Sequence, residues 1–444
     1  MSINNLSRRQ FLKASAGVSV AALFAACAPA GTAPTTDTAS SDEAIELEVW
    51  HQDWSGANQV MDLLGPRFEE ANPNATVNFA RIGYSDLQTK IFPAVAAGTE
   101  ADVMMMYTNW VVATDISQVF LDITDLSGGL SVLEEKTWPV AFQAISVPEG
   151  KVFYLPWACG ANGCAYTVQT EQYAEAGIDY TAFANYEEFV EAAVALTQID
   201  DDGKITRAGF APQIDSSFLF GQIWQLGGEF FDRETGQWSL SSEEGEAAAQ
   251  LVHDLYHVHK VNDFELYTNV GDAMGAGLVS TLSNGAWAGS WMGESGVPAD
   301  NIVAPLFADG VEEVMYPGHF AGWGLSKQLA DSAKLAAAFE FAELMVSPDG
   351  FIAMMDGYSG ISPSKEVYSD PSHAETKYGD MSKRVADIVW SIGRYTQDHI
   401  ADFSPFNAEF DRAIREEITI PEALANMDEY LNEQEALARE RIAA

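Results

Sequence analysis

Residues 45–107 alternate between two hydrophobic periodicities, and this alternation constrains the fold more than any other feature of the sequence. Apolar residues occupy every second position over 45–54 and again over 75–82, which predicts two strands. Helical spacing of apolar residues follows each strand, over 59–71 and 84–97. A short apolar run at 102–107 is typical of a buried parallel strand. The order strand, helix, strand, helix, strand predicts an α/β lobe.

The remainder of the chain carries enough periodic segments for a second lobe. The segment 151–166 places two strand-like pieces around the glycine-rich sequence CGANG, and FFDRETGQW predicts a turn between two short strands. The other predicted elements are helices at 186–197, 243–260 and 331–344, a strand at 318–326, and a mostly helical region at 383–442. We find no internal repeat in the sequence.

The charge and cysteine content exclude several classes of protein. The 444 residues include 65 acidic and 23 basic ones, which gives a net charge of −42. A body this acidic repels phosphate backbones and anionic lipid surfaces, so we expect no nucleic-acid partner and no membrane contact through the folded body. Three cysteines are too few for a disulfide scaffold, and 47% apolar residues suffice for large cores.

The first 26 residues have the order of an export signal. Arg8 and Arg9 precede an apolar run that ends at Ala26, which predicts the twin-arginine route. The run is too short to span a bilayer as a helix. Cys27 follows it as in a lipoprotein cleavage box, although Phe24 departs from the small aliphatic residue preferred there. We predict lipidation of Cys27 and a flexible tether over 27–43; the alternative is a small residue in a cleaved signal.

Four segments of the body, taken in order, resemble the extracellular solute-binding proteins of ABC importers, the group that includes maltose-binding protein. The segments are FEEANPNATVNFARIGYSDLQTKIFPAVAAGTEADVMMM, KVFYLPWACGANGCAYTVQTEQYAEAGID, AGLVSTLSNGAWAGSWM and HFAGWGLSKQLADSAKLAAAFEFAELMVSPDG. Each segment alone is a weak signal. Their common order behind a lipoprotein-like leader is specific, and the resemblance covers about residues 45–440.

The resemblance implies an α/β fold of two lobes, the type II periplasmic-binding-protein fold, with three crossovers near Trp157, His319 and Tyr368. Lobe one would comprise 44–156 and 320–368, and lobe two 157–319 and 369–444. It also implies a monomer on the outer face of the cytoplasmic membrane or in the periplasm. This monomer captures a sugar, an oligosaccharide or a polyol by lobe closure and delivers it to importer permeases.

Candidate ligand-binding residues follow the predicted strands, because loops at strand ends line the ligand cleft in open α/β sheets. Indole rings can stack on the apolar face of a pyranose, and aspartate and asparagine can bond its hydroxyl rim. A buried core position remains the alternative for each tryptophan, and a helix N-cap remains the alternative for Asp53. The candidates are Asp53, Trp54, Asn109, Trp110, Trp157, Asn162, Trp224, Trp291 (or its neighbour Trp287) and Trp323. Truncation of Trp291 or Trp323 should weaken sugar binding by roughly 1–4 kcal/mol without a large loss of stability.

The sequence offers no metal or cofactor motif of comparable strength. His253, His257 and His259 share a predicted helix, but without the glutamate of H-E-x-x-H a solvated face is favoured over a zinc site. Asp200–Gly203 lacks the ligand spacing of a calcium loop, so we expect a hairpin turn there. Cys159 and Cys164 could form a local disulfide or remain two buried thiols. We therefore predict no metal and no cofactor.

No nucleophile elbow, P-loop or nucleotide fingerprint is present, which favours a binding protein without catalytic residues over an enzyme. A secreted carbohydrate-active enzyme remains the alternative from another class. The same fold with a polyamine, peptide or metal chelate as ligand is a further alternative.

Overall fold

The computed structural model describes residues 44–111, 115–147, 150–163, 165–307, 315–394, 396, 399–400 and 402–443. The predicted signal sequence and tether, Cys27 and Cys164 lie outside these ranges. No helix among the described residues is both long and apolar enough to cross a membrane.

The described residues form short strands and mostly longer helices in alternation. The strands are β1 (Ile45–Gln52), β2 (Ala75–Ile82), β3 (Val103–Tyr107), β4 (Ser146–Val147), β5 (Lys151–Val152), β6 (Tyr154–Cys159), β7 (Ala165–Gln169), β8 (Gln198–Ile199), β9 (Ile205–Arg207), β10 (Phe231–Asp232), β11 (Gln237–Trp238), β12 (Thr281–Ser283), β13 (Ala299–Val303) and β14 (Phe320–Leu325). The helices are α1 (Ser55–Ala71), α2 (Tyr84–Ala97), α3 (Thr108–Val111), α4 (Leu130–Lys136), α5 (Pro139–Ile145), α6 (Thr170–Ala176), α7 (Tyr186–Leu196), α8 (Ser216–Gln225), α9 (Glu243–His257), α10 (Val270–Gly275), α11 (Trp287–Glu294), α12 (Leu335–Met345), α13 (Pro348–Met354), α14 (Gly379–Ile392), α15 (Ser404–Ile414) and α16 (Ile420–Ala443).

The first sheet has the strand order β2-β1-β3-β14-β6. In β1 the side chains of Leu47 and Val49 are buried while those of Glu46 and Glu48 are exposed, as the alternating sequence predicts. Strand β3 is buried at four consecutive residues, which explains its continuous apolar run. Strands β1, β2 and β3 are parallel, and β14 runs antiparallel to both β3 and β6. The carboxyl ends of β1, β3 and β6 therefore meet the amino end of β14 at one edge, which we call the carboxyl edge.

A β-bulge interrupts the pairing of β6 with β14 at this sheet. Ala321 pairs with Ala158, but the next residue, Gly322, pairs with Pro156. Trp157 is thus the extra residue on β6. A bulge changes the direction of the bulged side chain, and bulges are common next to binding sites.

The second sheet is smaller, with the order β12-β7-β13 and both outer strands antiparallel to β7. Parallel bridges from Ala208 to Val279 and from Ala211 to Leu282 add a further segment beside β12. The amino end of β7 and the carboxyl ends of β12 and β13 share one edge, from which the chain continues to Asn284 and α11.

Two large hydrophobic cores correspond to the two lobes. The first core draws on residues 47–158 and 321–367, and the second on 159–304, 315–320 and 385–431. Tyr368 packs against both cores. Val140 and Ala141 of α5 and Ile361 also pack in the second core, although the sequence ranges assign them to the first lobe. Core membership changes between Ala158 and Cys159, between Phe320 and Ala321, and after Val367.

The differences from the predicted elements lie mainly at element ends. Helix α1 begins at Ser55, four residues before the apolar period starts, because the small residues Gly56 and Ala57 are also buried. Residues 327–331 form a 3-10 turn, so α12 begins later than predicted, at Leu335. The predicted turn at Asp200–Gly203 is confirmed: the Asp200 carboxylate accepts hydrogen bonds from the backbone N–H groups of Asp202 and Lys204.

Candidate functional site

Asp53 and Trp54 follow β1 at the carboxyl edge. Trp54, not Asp53, is the N-cap residue of α1, so the alternative of Asp53 as a helix cap is wrong. The Asp53 side chain is exposed, and its carboxylate accepts a hydrogen bond from the Asn58 amide at 2.8 Å. Its second oxygen is available to a ligand hydroxyl.

Three indoles form a continuous row from this edge into the first core. The ring centroids of Trp54 and Trp157 are 5.5 Å apart, and those of Trp157 and Trp323 are 5.4 Å apart. Trp54 is half-buried, whereas Trp157 and Trp323 are fully buried. We call these three residues the indole row. The expectation that Trp323 could be truncated without a large loss of stability does not fit its complete burial.

Tyr358 extends the indole row on the side of Trp54, with ring centroids 4.2 Å apart. A side chain at position 56 would collide with both rings, since an added Cβ would lie 2.4 Å from the Trp54 ring and 2.7 Å from the Tyr358 Cβ. Gly56 therefore permits this contact. The sequence analysis missed Tyr358, which lies in a loop with no periodic signal.

The indole Nε1 atoms of the row are buried and have no hydrogen-bond partner in the protein. Buried donors without a partner are uncommon and call for a ligand or water oxygen. The same holds for Trp224 and Trp238 in the second core. An unpaired indole N–H alone therefore does not identify a ligand site. It supports one here because the indole row also lies at the carboxyl edge.

Asn109 and His319 flank the end of the pairing between β3 and β14 at the same edge. Ala321 pairs with Tyr107, the Phe320 N–H donates to the Thr108 hydroxyl at 3.1 Å, and Asn109 and His319 are the next residues along the two segments. The side-chain oxygen of Asn109 and Nδ1 of His319 are buried and unpaired. Burial lowers the pKa of His319 to about 4, so the ring is neutral at pH 7.

A second aromatic group comprises Tyr84, Tyr107 and Trp110, whose ring centroids lie 4.8–5.2 Å apart. Trp110 is buried, and its Nε1 donates to the Tyr84 hydroxyl at 3.1 Å. Burial, together with Tyr358 and Tyr84, raises the pKa of Tyr107 well above its ordinary value. Tyr84 begins the helix after β2 and reaches the same edge, a position that the sequence analysis did not consider.

Asn162 lies where the two lobes join. Its side-chain oxygen accepts a hydrogen bond from Nε1 of Trp287 at 3.2 Å. The backbone at Gly318 approaches it so closely that an added Cβ would lie 2.8 Å from the Asn162 Cβ, and Gly318 also has a φ of 75°. Asn162 thus fixes the orientation of Trp287 at the edge of the second sheet.

Trp291 lies on α11, one turn after Trp287, with ring centroids 5.7 Å apart. It is 37% exposed, whereas the other ten tryptophans are buried or half-buried. Its ring rests on Gly271, where an added Cβ would be 1.8 Å from the indole. Trp287 and Trp291 therefore present aromatic surface from the second lobe.

Trp224 lies elsewhere, in the second core. Its ring packs on Phe230 and Tyr316, with centroids 4.9 and 5.7 Å away, and the Arg394 guanidinium lies 4.9 Å from it. Its recorded ring contacts do not include the indole row. Trp224 lies within α8, whose residues are all buried.

Contacts between the lobes close one side of this region. The Ser55 hydroxyl, at the start of α1, can donate its single proton either to the Glu294 carboxylate at the end of α11 or to the Gly357 carbonyl, whose oxygen is 2.6 Å away. The backbone N–H of Ser290 donates to the Ser359 hydroxyl at 2.8 Å. These contacts bring aromatic rings and polar groups from the edges of both sheets close together.

Cys159 is a buried free thiol at the end of β6. Burial raises its pKa to about 12, so the thiol stays protonated and is a poor nucleophile. Cys164, with which Cys159 could form a local disulfide or remain one of two buried thiols, lies outside the described residues.

Comparison with known proteins identifies the family. The model of the bacterial extracellular solute-binding protein family matches residues 53–350. The chain belongs to this family. Its members are solute-binding proteins rather than enzymes. Residues 5–25 match a twin-arginine translocation signal, which with the family indicates an exported protein.

Curated relatives match part of the chain. A binding protein of Brucella abortus is 26% identical over 222 residues, which is 49% of this chain and 51% of the relative. The chain thus spans about half the length of this relative. An arabinooligosaccharide-binding protein of Halalkalibacterium halodurans is 28% identical over 113 residues, or 26% of this chain and 24% of the relative.

Solved structures confirm the predicted two-lobed fold over nearly their whole length. An ABC substrate-binding protein from Listeria monocytogenes in complex with cycloalternan has a TM-score of 0.72 and 19% identity, covering 88% of this chain and 99% of that one. UgpB from Mycobacterium tuberculosis in complex with glycerophosphocholine has a TM-score of 0.72 and 16% identity, covering 90% and 99%. A maltose/maltodextrin-binding domain from Bdellovibrio bacteriovorus bound to maltotriose has a TM-score of 0.69 and 18% identity, covering 88% and 100%.

Proposed function

We propose that this protein captures a neutral carbohydrate between its lobes and delivers it to an ABC importer. The observation that carries the proposal is the indole row, Trp54, Trp157 and Trp323, at the carboxyl edge of the first sheet. The rings of the row are tilted by 52–57° to one another. The half-buried Trp54 offers an apolar face, and the unpaired N–H groups of the row can donate to hydroxyl oxygens that reach them. Sugars and polyols combine these two surface types.

The groups around the row disfavour an anionic ligand, because Asp53 beside Trp54 is itself a carboxylate. His319 is neutral at pH 7, and Asn109 adds a neutral acceptor. Among the described residues, the recorded cation–π contacts involve Trp50, Trp224, Phe264 and Tyr378 and not the indole row. An anionic ligand would have no such cation beside the row to neutralise it.

The proposed ligand-binding residues are those at the carboxyl edge and on the facing side of the second lobe. Trp224 is left out because it packs inside the second core. Trp110 is left in an indirect role, since its N–H already bonds to Tyr84. The proposed set is Asp53, Trp54, Asn109, Trp157, Asn162, Trp287, Trp291, His319, Trp323 and Tyr358.

A ligand that touches both lobes binds the closed form more tightly than the open form. This difference in affinity shifts the population of molecules toward the closed form. We propose that the first lobe comprises 44–156 and 320–368 and the second 157–319 and 369–444, as the two cores support. Importer permeases would then recognise the closed monomer, and the protein would need no catalytic group.

The named complexes of the relatives suggest the ligands with which to begin. A thermal-shift screen of the exported chain would compare cycloalternan, maltotriose and arabino-oligosaccharides with glycerophosphocholine, polyamines and peptides. A ligand at 1,000 times its Kd stabilises the protein by about 4 kcal/mol. We expect the largest shift from a carbohydrate, recovered chemically unchanged. A shift only with a polyamine or peptide, or a hydrolysed sugar, would contradict the proposal.

We further propose that Cys27 carries a lipid that holds the protein at the outer face of the membrane. Replacing Cys27 with alanine should move the exported protein from the detergent phase to the aqueous phase of a detergent extraction. If the unaltered protein is already aqueous, Cys27 is only part of a cleaved signal.

A further inference from the structure

Two histidines of α9 and a glutamate far along the chain lie together at the surface of the second lobe. His253 and His257 are one helical turn apart, and Glu416 follows α15. His253 Nε2 is 3.3 Å from one oxygen of Glu416, and His257 Nδ1 is 3.9 Å from the other. One ligand atom from each of the three side chains lies within 4.8 Å of the others.

These separations suit a tetrahedral metal ion. Zinc binds imidazole nitrogen and carboxylate oxygen at about 2.0–2.2 Å, so two ligand atoms on a tetrahedral zinc lie roughly 3.4 Å apart. The observed nitrogen–oxygen distances of 3.3 and 3.9 Å bracket this value. Small rotations of partly exposed side chains would complete the geometry.

Metal-binding histidines usually hydrogen-bond through the ring nitrogen that does not bind the metal, and Nε2 of His257 makes such a bond. His257 Nε2 lies 2.8 Å from the carbonyl oxygen of Ile414. A carbonyl only accepts, so Nε2 carries the proton and Nδ1 presents its lone pair toward Glu416. A second partner that fixes the histidine tautomer in this way is typical of metal sites.

His253 can adopt the matching tautomer. Its Nδ1 lies 3.3 Å from the Asp254 carboxylate, which can accept the ring proton and leave Nε2 free toward Glu416. The exposed Gln250 amide also contacts Nδ1 at 3.0 Å, and this side chain can turn into solvent. The two rings are stacked, with centroids 4.2 Å apart and planes 23° from parallel, so a rotation of one ring is needed to direct both lone pairs at the same point.

The backbone of Glu416 is held in a conformation that glutamate rarely adopts. Its φ is 59°, one of three positive φ values recorded for non-glycine residues in the described part of the chain. Helices often end on such a residue, but glycine or asparagine adopts the conformation at lower cost. The exposed Glu416 side chain contributes little packing, and its carboxylate lies against the two histidines instead.

We propose that His253, His257 and Glu416 bind a divalent transition-metal ion, with zinc as the best-fitting candidate and water as the fourth ligand. Imidazole and carboxylate together suit zinc better than magnesium or calcium, which prefer oxygen ligands. The ion would link α9 to the chain after α15 and so stabilise the second lobe. The sequence favours a solvated face because the helix lacks the glutamate of an H-E-x-x-H motif. The carboxylate that completes the cluster, that of Glu416, lies 163 residues from His253.

The test is a titration of the chelator-treated, ligand-free protein with zinc chloride, followed by calorimetry and by the melting temperature. We expect one zinc per chain, and at least a tenfold weaker affinity for Glu416→Gln and for His253→Gln. Glu417→Gln and His259→Gln are matched controls, because both side chains are exposed and neither belongs to the cluster. Both controls should bind zinc as the unaltered protein does.

Cobalt substitution provides an independent readout. A tetrahedral cobalt complex with two imidazoles should give intense visible absorption bands in the unaltered protein and not in Glu416→Gln. The melting temperatures without metal should agree between the variant and the unaltered protein, which separates a lost site from a lost fold. Equal zinc affinity in all variants, or no stoichiometric binding by the unaltered protein, would overturn the proposal. Neither result depends on the carbohydrate ligand.

Discussion

The tryptophans of the two lobes differ in their surroundings more than in their burial. Trp238, in the second core, packs against Phe220, Phe230 and Phe231 with ring centroids 4.7–5.9 Å away. The indole row is a line of rings at the edge where β1, β6 and β14 meet the other lobe. Both groups contain buried Nε1 atoms without partners. Position beside the carboxyl edge of the first sheet, rather than burial or an unpaired donor, therefore distinguishes a candidate binding ring from a core ring.

The largest expected difference between the second-core tryptophans and the indole row is in the free energy of unfolding. Trp238→Ala should lower the free energy of unfolding by about 3–5 kcal/mol, because it removes a fully packed aromatic side chain. Trp54→Ala, at a half-buried position, should cost clearly less. Urea denaturation of both variants measures this difference. Equal losses of stability would mean that Trp54 is a core residue like Trp238.

The next effect concerns pH and His319, which lies where the chain passes between the lobes. The pKa of His319 is lowered from 6.5 to about 4, so between these values the unfolded chain binds more protons than the folded one. Stability should therefore fall as the pH decreases from 6.5 to 4, by up to about 3 kcal/mol from this group. His319→Gln should make the decline shallower, whereas His259→Gln, at an exposed position, should not. An unchanged slope in His319→Gln would show that the ring is solvated.

In the second lobe, Asp215 should produce the opposite pH dependence. Asp215 caps α8 by accepting from the N–H of Phe218, and burial raises its pKa from 3.8 to about 6. Here the folded chain binds more protons, so this group makes stability fall as the pH rises from 4 to 6, by about 1–3 kcal/mol. Asp215→Asn keeps a capping oxygen and should be more stable than the unaltered protein at pH 7 but not at pH 3. Chemical denaturation at the two pH values distinguishes these outcomes.

The smallest effect concerns the contact between the lobes. Loss of the Ser55–Glu294 hydrogen bond should weaken ligand binding by about 0.5–1.5 kcal/mol, because the bond joins the two lobes. Ser55→Ala and Glu294→Gln should each accelerate ligand release, and the double variant should be no worse than the stronger single one. Fully additive effects would show that the two side chains act independently.

Much of the first lobe could be predicted from the sequence because its elements are strongly periodic. The observed bounds of β2 and α2 equal the predicted ones, since a clear change of period coincides with each end. Asp53, Trp54 and Asn109 could be placed at the carboxyl edge because they directly follow strands. The predicted first residues of α1 and α12 were wrong, because small or polar residues interrupt the apolar periodicity there.

The remaining site residues depend on contacts between distant parts of the chain. Tyr358 reaches Trp54 from a loop about 300 residues later, and Glu416 reaches His253 across 163 residues. The bulge that sets Trp157 apart is a property of the pairing between β6 and β14 and not of either sequence alone. Trp224 satisfied the same local criteria as the other tryptophans, and only the packing of Phe230 and Tyr316 around it places it in the core.

The central claim is that the edge of the first sheet, and not the aromatic second core, holds the ligand. Calorimetric titration of Trp54→Ala with the carbohydrate that gives the largest thermal shift tests it most directly. Trp138→Ala is the control, since Trp138 is also half-buried and packs against the second core. We predict a loss of about 1–4 kcal/mol in binding free energy for Trp54→Ala and unchanged binding for Trp138→Ala. Unchanged affinity in Trp54→Ala would contradict the claim.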